Sequence, residues 1–274
     1  MDTAISPGRA PAPGNLRRRA RAAAFALSLL VAFPARAADA PSARGAASVP
    51  TARRPAPADV VRFLEQATMG PTEALVAHVT AVGLERFLEE QLAAPPSGYP
   101  DLPPMPRDQQ TGCPEGSPAT CVRDNYSMYP LQVRFFQNAL GGDDQLRQRV
   151  ALALHEVLVV SGVKLRQPSI VGPYLSMLQR NALGSYRTLL VDLTLSPAMG
   201  SYLDMVDNSA AMPPGNVPPD ENYARELLQL FSIGVVELKR DGTPLLDAQS
   251  QPVTTYGQSE VRAFARALTG WTYA

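Results

Sequence analysis

The stretch that decides the fold is DENYARELLQLFSIG, at residues 220–234. At 100° per residue its apolar side chains fall on one continuous arc and its polar side chains on the other. The apolar arc consists of Tyr223, Ala224, Leu227, Leu228, Leu230 and Phe231. The polar arc consists of Glu221, Asn222, Arg225, Glu226 and Gln229. The pattern predicts an amphipathic helix that buries the first arc, with Asp220 as its N-cap and Gly234 at its end.

Helical periodicity on both sides of this stretch predicts an all-α fold, a multi-helix bundle with one small β-hairpin insertion. The hairpin is predicted where β-prone runs flank Asp241 and Gly242. Residues 143–162 are apolar almost all round from Val150 onward, which predicts a helix buried at the centre of the bundle. The other predicted helices cover residues 60–67, 72–82, 84–92, 125–140, 173–183, 186–195, 197–206 and 260–268.

The first 37 residues have the pattern of a secretory signal peptide. An arginine-rich run at 17–21 precedes the apolar segment 22–33 and the small-x-small sequence at 35–37. Residues 38–57 are rich in Ala, Pro, Ser and Arg and predict a flexible tether, so residues 58–274 form the predicted helical domain. We therefore expect a periplasmic or secreted protein with no stable membrane span after signal cleavage, since no later apolar stretch approaches about 20 residues.

Charge disfavours nucleic acid as a partner. The whole chain has no net charge, but residues 1–37 hold six arginines and one aspartate. Their removal leaves 19 basic and 24 acidic residues, a net charge of −5. Such a chain lacks the excess of basic residues that binds phosphate backbones.

The two cysteines, Cys113 and Cys121, lie in a segment rich in Pro, Gly and Ser. In an exported protein such a pair predicts a disulfide. A zinc site would need further ligands, and the two histidines of the chain, His78 and His155, are not near the cysteines in sequence, so no metal site is assigned.

The candidate functional residues lie on two predicted helices joined by one loop. Asp204, Asp207 and Asn208 are spaced i, i+3 and i+4 and would share one helical face. An antiparallel arrangement would bring them to the polar arc of the 220–234 helix. The candidates for ligand or partner binding are Asp204, Asn208, Glu221, Asn222, Arg225 and Glu226.

Two interpretations of these residues stay open. Carboxylate and amide oxygens are ligands for divalent cations, and together with an arginine they also suit a sugar. The same residues could instead form an ion-pair network that fixes two helices, because Glu221 and Arg225 are a standard i, i+4 pair.

Three functional classes follow. The leading hypothesis is a binding module for a partner or ligand, and its rival is a hydrolase that uses a carboxylate pair or a divalent ion. A non-functional fragment is the third. No G-x-S-x-G, P-loop or G-x-G-x-x-G motif is present in the sequence, and the adjacent pair His155 and Glu156 matches no metal-binding spacing.

Several separated motifs resemble the bacterial domain of unknown function family 1800. They are DQLRQRVALAL, QRNALGSYRTLLVDLTLSPAMGSYLDM, PDENYARELLQLFSIGVVEL and YGQSEVRAFARALTGW, in that order. The family's usual Asn-Glu-Asn-Tyr stands here as Asp-Glu-Asn-Tyr at 220–223. The resemblance covers roughly residues 58–274.

The resemblance implies an exported, mostly helical bacterial protein, often encoded beside a sulfatase-like companion. It supplies no established activity and no catalytic residue. Members of the family typically continue after the Thr-Gly-Trp motif, here at 269–271, into a second helical half. The chain is therefore expected to be truncated, with its helical domain incomplete at the C-terminal end.

Overall fold

The computed structural model of the protein describes residues 55–210 and 218–272. Twelve helices and almost no strand are found in these residues, which confirms the all-α prediction. The predicted signal peptide and residues 38–54 of the predicted tether lie outside the described residues. In the described ranges, no helix is both long enough and apolar enough to cross a bilayer.

The first three helices pack around a small core of their own. They are α1 (Pro57–Ala67), α2 (Glu73–Val82) and α3 (Leu84–Ala93). Val60 and Leu64 of α1 are fully buried and join Val79 and Phe87 in this core. As predicted, Thr72 opens α2, because its hydroxyl accepts a hydrogen bond from the Leu75 amide at 3.2 Å.

A proline-rich segment, residues 95–128, follows and contains only the short helices α4 (Gln109–Gly112) and α5 (Cys121–Tyr126). The predicted disulfide is present, and the Cα atoms of Cys113 and Cys121 lie 5.9 Å apart. The hydroxyl of Tyr126 then donates to the Pro106 carbonyl at 2.7 Å. The disulfide and this bond hold the second half of the segment together.

The main core lies among five helices, and α8 is the most deeply buried of them. They are α6 (Tyr129–Gly141), α7 (Gln145–Val157), α8 (Pro168–Asn181), α9 (Tyr186–Thr194) and α10 (Pro197–Tyr202). Tyr174, Met177 and Leu178 of α8 are all buried, as are Leu189 and Leu193 of α9.

Helix α7 lies at the centre of the bundle as predicted, in contact with α1, α3, α6 and α8, but its predicted extent of residues 143–162 and its burial almost all round are wrong. Helix α7 ends at Val157, whose side chain is exposed, and its buried residues are Gln145, Gln148 and Ala151. The physical reason is that part of its apolar side borders a cavity rather than another helix. The proline at 168 starts α8 upstream of the predicted start at 173.

Helix α11 (Asn222–Gln229) is shorter than the amphipathic stretch that predicted it. Tyr223 and Phe231 are buried in the main core as predicted, but Leu230 is 57% exposed because the helix ends just before it. The N-cap position belongs to Glu221 rather than Asp220. The Asp220 carboxylate still accepts a hydrogen bond from the Asn222 amide at 2.8 Å.

The last helix, α12 (Gln258–Ala267), packs on α11 beside the face that enters the main core. Ala224 and Leu228 of α11 form a third buried cluster with Val261 and Ala265. Small residues on both helices allow this close approach. Helix α11 therefore bridges the main core and α12.

The small β-hairpin insertion is not confirmed. Between α11 and α12, residues 235–256 make three isolated antiparallel bridges, Val236 with Thr254, Leu238 with Pro244 and Leu246 with Pro252. No continuous strand forms in this described segment. Prolines at two of the six bridge positions lack the N–H that a continuous ladder needs.

Candidate functional site

The predicted helical face of Asp204, Asp207 and Asn208 does not exist, because α10 ends at Tyr202. Asp204 and Asp207 adopt positive φ angles of 60° and 61°. The Met205 amide donates to the Gly200 carbonyl at 2.8 Å. This hydrogen bond is typical of a helix that ends at a residue in the left-handed conformation, here Asp204. Aspartate tolerates this conformation better than most residues do.

The segment after α10 nevertheless meets the start of α11. The Asn208 side chain and the Asp220 backbone exchange two hydrogen bonds, both 2.9 Å long. The side-chain amide of Asn222 donates to the Asp204 carboxylate at 3.2 Å. Lys164, from the loop between α7 and α8, binds the other Asp204 oxygen at 2.7 Å. The structure thus brings Asp204, Asn208 and Asn222 together and adds Lys164, which the sequence did not predict.

A second group surrounds Glu221. Arg225 donates to the Glu221 carboxylate at 2.6 Å and to the side-chain oxygen of Gln258 at 2.7 Å. The side-chain nitrogen of Gln258 also donates to the Glu221 carboxylate, at 2.8 Å. Arg262 of α12 lies 3.7 Å from the same carboxylate. The hydrogen bonds from Gln258 and Arg225 lower the pKa of Glu221. These contacts link α11 to α12.

Glu226 differs from the other candidates. Its Oε2 atom is buried, and no described residue donates a hydrogen bond to it. Asn222 lies one helical turn before it, so the two side chains share a face of α11. Glu226 is the one predicted site residue in the described ranges with an unsatisfied buried oxygen.

The Thr-Gly-Trp motif also contacts this region. The Asp207 amide donates to the Trp271 carbonyl at 2.8 Å, and the Gly270 amide donates to the Asn208 carbonyl at 2.9 Å. The Thr272 hydroxyl donates to the Asp207 carboxylate at 2.7 Å. The residues that follow α12 therefore fix the conformation of the segment that carries Asp204 and Asn208.

We refer to the residues of both groups and Glu226 as the polar cluster. Its members are Lys164, Asp204, Asn208, Asp220, Glu221, Asn222, Arg225, Glu226, Gln258 and Arg262. Within the described ranges, no three His, Cys, Asp or Glu side chains are grouped closely enough to hold a metal ion. Most of the cluster's charges are instead paired with one another, so what it offers chemically is hydrogen bonding.

A large cavity lies elsewhere, and sequence reasoning missed it. It has a volume of about 530 Å³ and is bordered by α6, α7 and α8 and by Tyr99 and Met128 of the proline-rich segment. His155 lies at its wall, with its ring centroid 5.9 Å from that of Tyr174. Burial lowers the pKa of His155, although the nearby Glu156 charge acts in the opposite direction.

Comparison with known proteins identifies the family but no characterised relative. No curated protein and no solved structure matched the chain. The family described as "Protein of unknown function (DUF1800)" matches residues 62–274. That match includes every helix from α2 to α12, the disulfide, the polar cluster and the cavity. The chain therefore belongs to the DUF1800 family.

Proposed function

We propose that the chain is an exported helical binding module that engages a partner or ligand through the polar cluster. Export is supported by the predicted signal peptide, and the disulfide is compatible with an oxidising compartment. The cluster lies on a surface where α11, α12 and the segment after α10 meet.

The observation that carries this proposal is the unpartnered Glu226 oxygen. A buried acceptor without a donor costs about 1–3 kcal/mol. Native proteins satisfy most such groups, and an exception needs a reason. A partner that supplies an N–H or a cationic side chain beside Glu226 would remove the cost on binding. The other carboxylates of the cluster gain less from a partner, since they already accept hydrogen bonds within the chain.

The partner to test first is the sulfatase-like companion that the family resemblance implies. Binding of the full chain to the purified companion would be measured by biolayer interferometry, with Glu226→Gln as the test variant. We expect affinity to fall by about tenfold, which corresponds to one hydrogen bond to a charged group. We expect the melting temperature to stay the same or rise, because a neutral amide replaces a carboxylate that has one buried oxygen without a donor in the described part of the chain.

The matched control is Glu237→Gln, an exposed glutamate between α11 and α12 that lies outside the cluster. It should change neither binding nor melting. If Glu226→Gln lowers the melting temperature strongly and leaves affinity unchanged, the cluster is only a structural network. If the wild-type chain and the companion do not bind at all, the companion is not the partner, and the same variant pair then tests other ligands.

A further inference from the structure

We propose that the cavity between α6, α7 and α8 binds a small neutral molecule with an apolar body and one hydrogen-bond acceptor, such as an aliphatic ketone or ester. This site is separate from the polar cluster, and the proposal does not depend on the function proposed for that cluster.

The size and lining of the cavity suit a small ligand. Its volume of about 530 Å³ lies within the range of roughly 300–1,000 Å³ that is common for small-molecule sites. Most of the lining is apolar, with contributions from Leu131, Phe135, Leu152, Val171 and Leu175. Such a surface binds a hydrocarbon or aromatic body through apolar burial.

The wall includes a pair of buried glutamines with fixed orientations, besides the polar groups of Tyr99, Gln132 and His155. Gln179 Oε1 accepts from the Gly98 amide at 2.9 Å, so its Nε2 must point the other way, where it donates to Gln148 Oε1 at 2.9 Å. Gln148 Nε2 in turn donates to the Asp144 carboxylate at 2.9 Å. The Gly98 amide can only donate and the Asp144 carboxylate accepts, so neither glutamine amide can flip.

Both amide nitrogens keep a spare donor. Each Nε2 carries two hydrogens, and each donates one hydrogen bond to the described residues. Gln148 and Gln179 are among the cavity-lining residues and are 5% and 1% exposed. Buried donors with remaining capacity favour a ligand that brings an acceptor, such as a carbonyl oxygen.

Charged ligands do not fit this wall. Among the described residues that line the cavity, none is Lys, Arg, Asp or Glu. Burial lowers the pKa of His155, which disfavours its cationic form, and burial raises the pKa of Tyr99 to about 12, which keeps its hydroxyl protonated. A carboxylate would enter the cavity without a counter-charge, at a large desolvation cost.

The outer wall of the cavity is held in place before any ligand arrives. Arg134 of α6 donates to the carbonyls of Ser97 and Gly98 at 2.6 and 3.0 Å, and Asn138 donates to Gly98 at 3.0 Å. These bonds position Tyr99, the next residue, at the cavity. A site formed in advance loses less free energy to ordering when a ligand binds.

The test uses the full chain and three probes of similar length: 2-nonanone, nonane and nonanoate. Each would displace the neutral fluorophore N-phenyl-1-naphthylamine, and dissociation constants would be read from the fluorescence. We expect 2-nonanone to bind about fivefold more tightly than nonane, as one net hydrogen bond predicts. Nonanoate should bind at least about tenfold more weakly than the ketone, because its charge has no partner in the wall.

Matched variants locate the binding in the cavity. Ala151→Leu fills part of it from α7 and should weaken 2-nonanone binding by at least about fivefold, since the added isopropyl group takes up ligand space. Ala153→Leu adds the same group to an exposed position on the same helix and should change nothing. Gln148→Met removes one of the two spare donors and should reduce the preference for the ketone over nonane, while nonane still binds.

The binding measurements distinguish a ligand site in the cavity from non-specific binding. The proposal is overturned if the fluorophore does not bind, if nonanoate competes as well as the ketone, or if Ala151→Leu and Ala153→Leu behave alike. Circular dichroism melts of each variant check folding. Should Gln148→Met fail to fold, the probe series on the wild-type chain and the two leucine variants still decides.

Discussion

The polar cluster and the cavity hold polar side chains in opposite ways. In the cluster, charged groups lie near the surface and pair with one another; the side chains of Lys164 and Asp204 are 45% and 48% exposed. At the cavity wall, Gln148 and Gln179 are uncharged, buried and fixed by hydrogen bonds to Gly98, to Asp144 and to each other. The cluster therefore satisfies most of its polar groups within the chain and leaves one buried Glu226 oxygen without a donor among the described residues, whereas the cavity wall keeps two oriented donors with remaining capacity.

The largest effect should come from Asp144, which supports the cavity wall. Its fully buried carboxylate accepts from the Ser97 amide at 2.9 Å, from the Ser97 hydroxyl and from Gln148. Asp144→Ala leaves these buried donors unsatisfied, and we expect a loss of about 3 kcal/mol in the free energy of unfolding. Urea denaturation would measure it. Asp143→Ala, at the exposed neighbouring residue, should cost less than about 0.5 kcal/mol.

The next effect concerns the disulfide in the proline-rich segment. Replacing Cys113 and Cys121 together with serine should lower the free energy of unfolding by about 2.5 kcal/mol, as expected for a loop this short. Reducing the wild-type chain should give a similar loss in the same urea titration. Because Met128 follows this region and lines the cavity, binding of 2-nonanone should weaken as well. Unchanged binding would show that the cavity does not depend on the segment's second half.

A smaller effect is expected within the polar cluster. Lys164→Ala removes the exposed ion pair with Asp204 and should cost less than about 1 kcal/mol at low salt. The difference between variant and wild type should shrink further in 1 M NaCl, where exposed charges are screened. The matched control is Arg62→Ala, which breaks the exposed ion pair with Asp59 on α1. A loss above about 2 kcal/mol for Lys164→Ala would contradict the contrast drawn between the two regions.

The smallest effect is a pH dependence from Glu221. Its pKa in the folded chain lies below the ordinary value of 4.5, because Gln258 and Arg225 bond to its carboxylate. A lowered folded pKa stabilises the fold above the unfolded pKa, and that stabilisation is lost as pH falls through the folded value. Glu221→Gln should therefore reduce the stability difference between pH 6 and pH 3. Parallel curves for variant and wild type would show that the carboxylate is not stabilised by the fold.

Local patterns predicted much of the fold. The buried arc at Tyr223, Ala224, Leu228 and Phe231 follows from side-chain spacing within one helix, and Thr72 caps α2 through a bond three residues away. The disulfide was predicted equally well, since it joins residues only eight positions apart. Each of these predictions needed information from one short stretch of chain.

The errors arose where distant parts of the chain decide the outcome. The left-handed closure at Asp204 is held by contacts to α11 and to residues after α12, so a regular i, i+3, i+4 pattern wrongly predicted a helical face there. Leu230 fits the apolar arc but lies past the end of α11.

Predicting the cavity would have required contacts between the residues that lie farthest apart in the sequence. Gly98 and Gln179 are 81 positions apart, and no local pattern connects them. The sequence offered little signal, because Gln179 follows the apolar pair Met177 and Leu178 but Gln148 lies between Arg147 and Arg149. Buried glutamines of this kind are expected to pair with other polar groups, because burial without partners would be costly.

The bonds that hold Ser97 and Gly98 reach residues 36 to 81 positions later in the chain. Contacts between distant residues carry a larger loop-closure entropy and form late in folding. We therefore expect the helices to assemble first and the proline-rich segment to dock onto them afterwards. Hydrogen exchange would then show the Gly98 amide protected later during refolding than the amides within α8, so the interior wall of the cavity would exist before its outer wall closes.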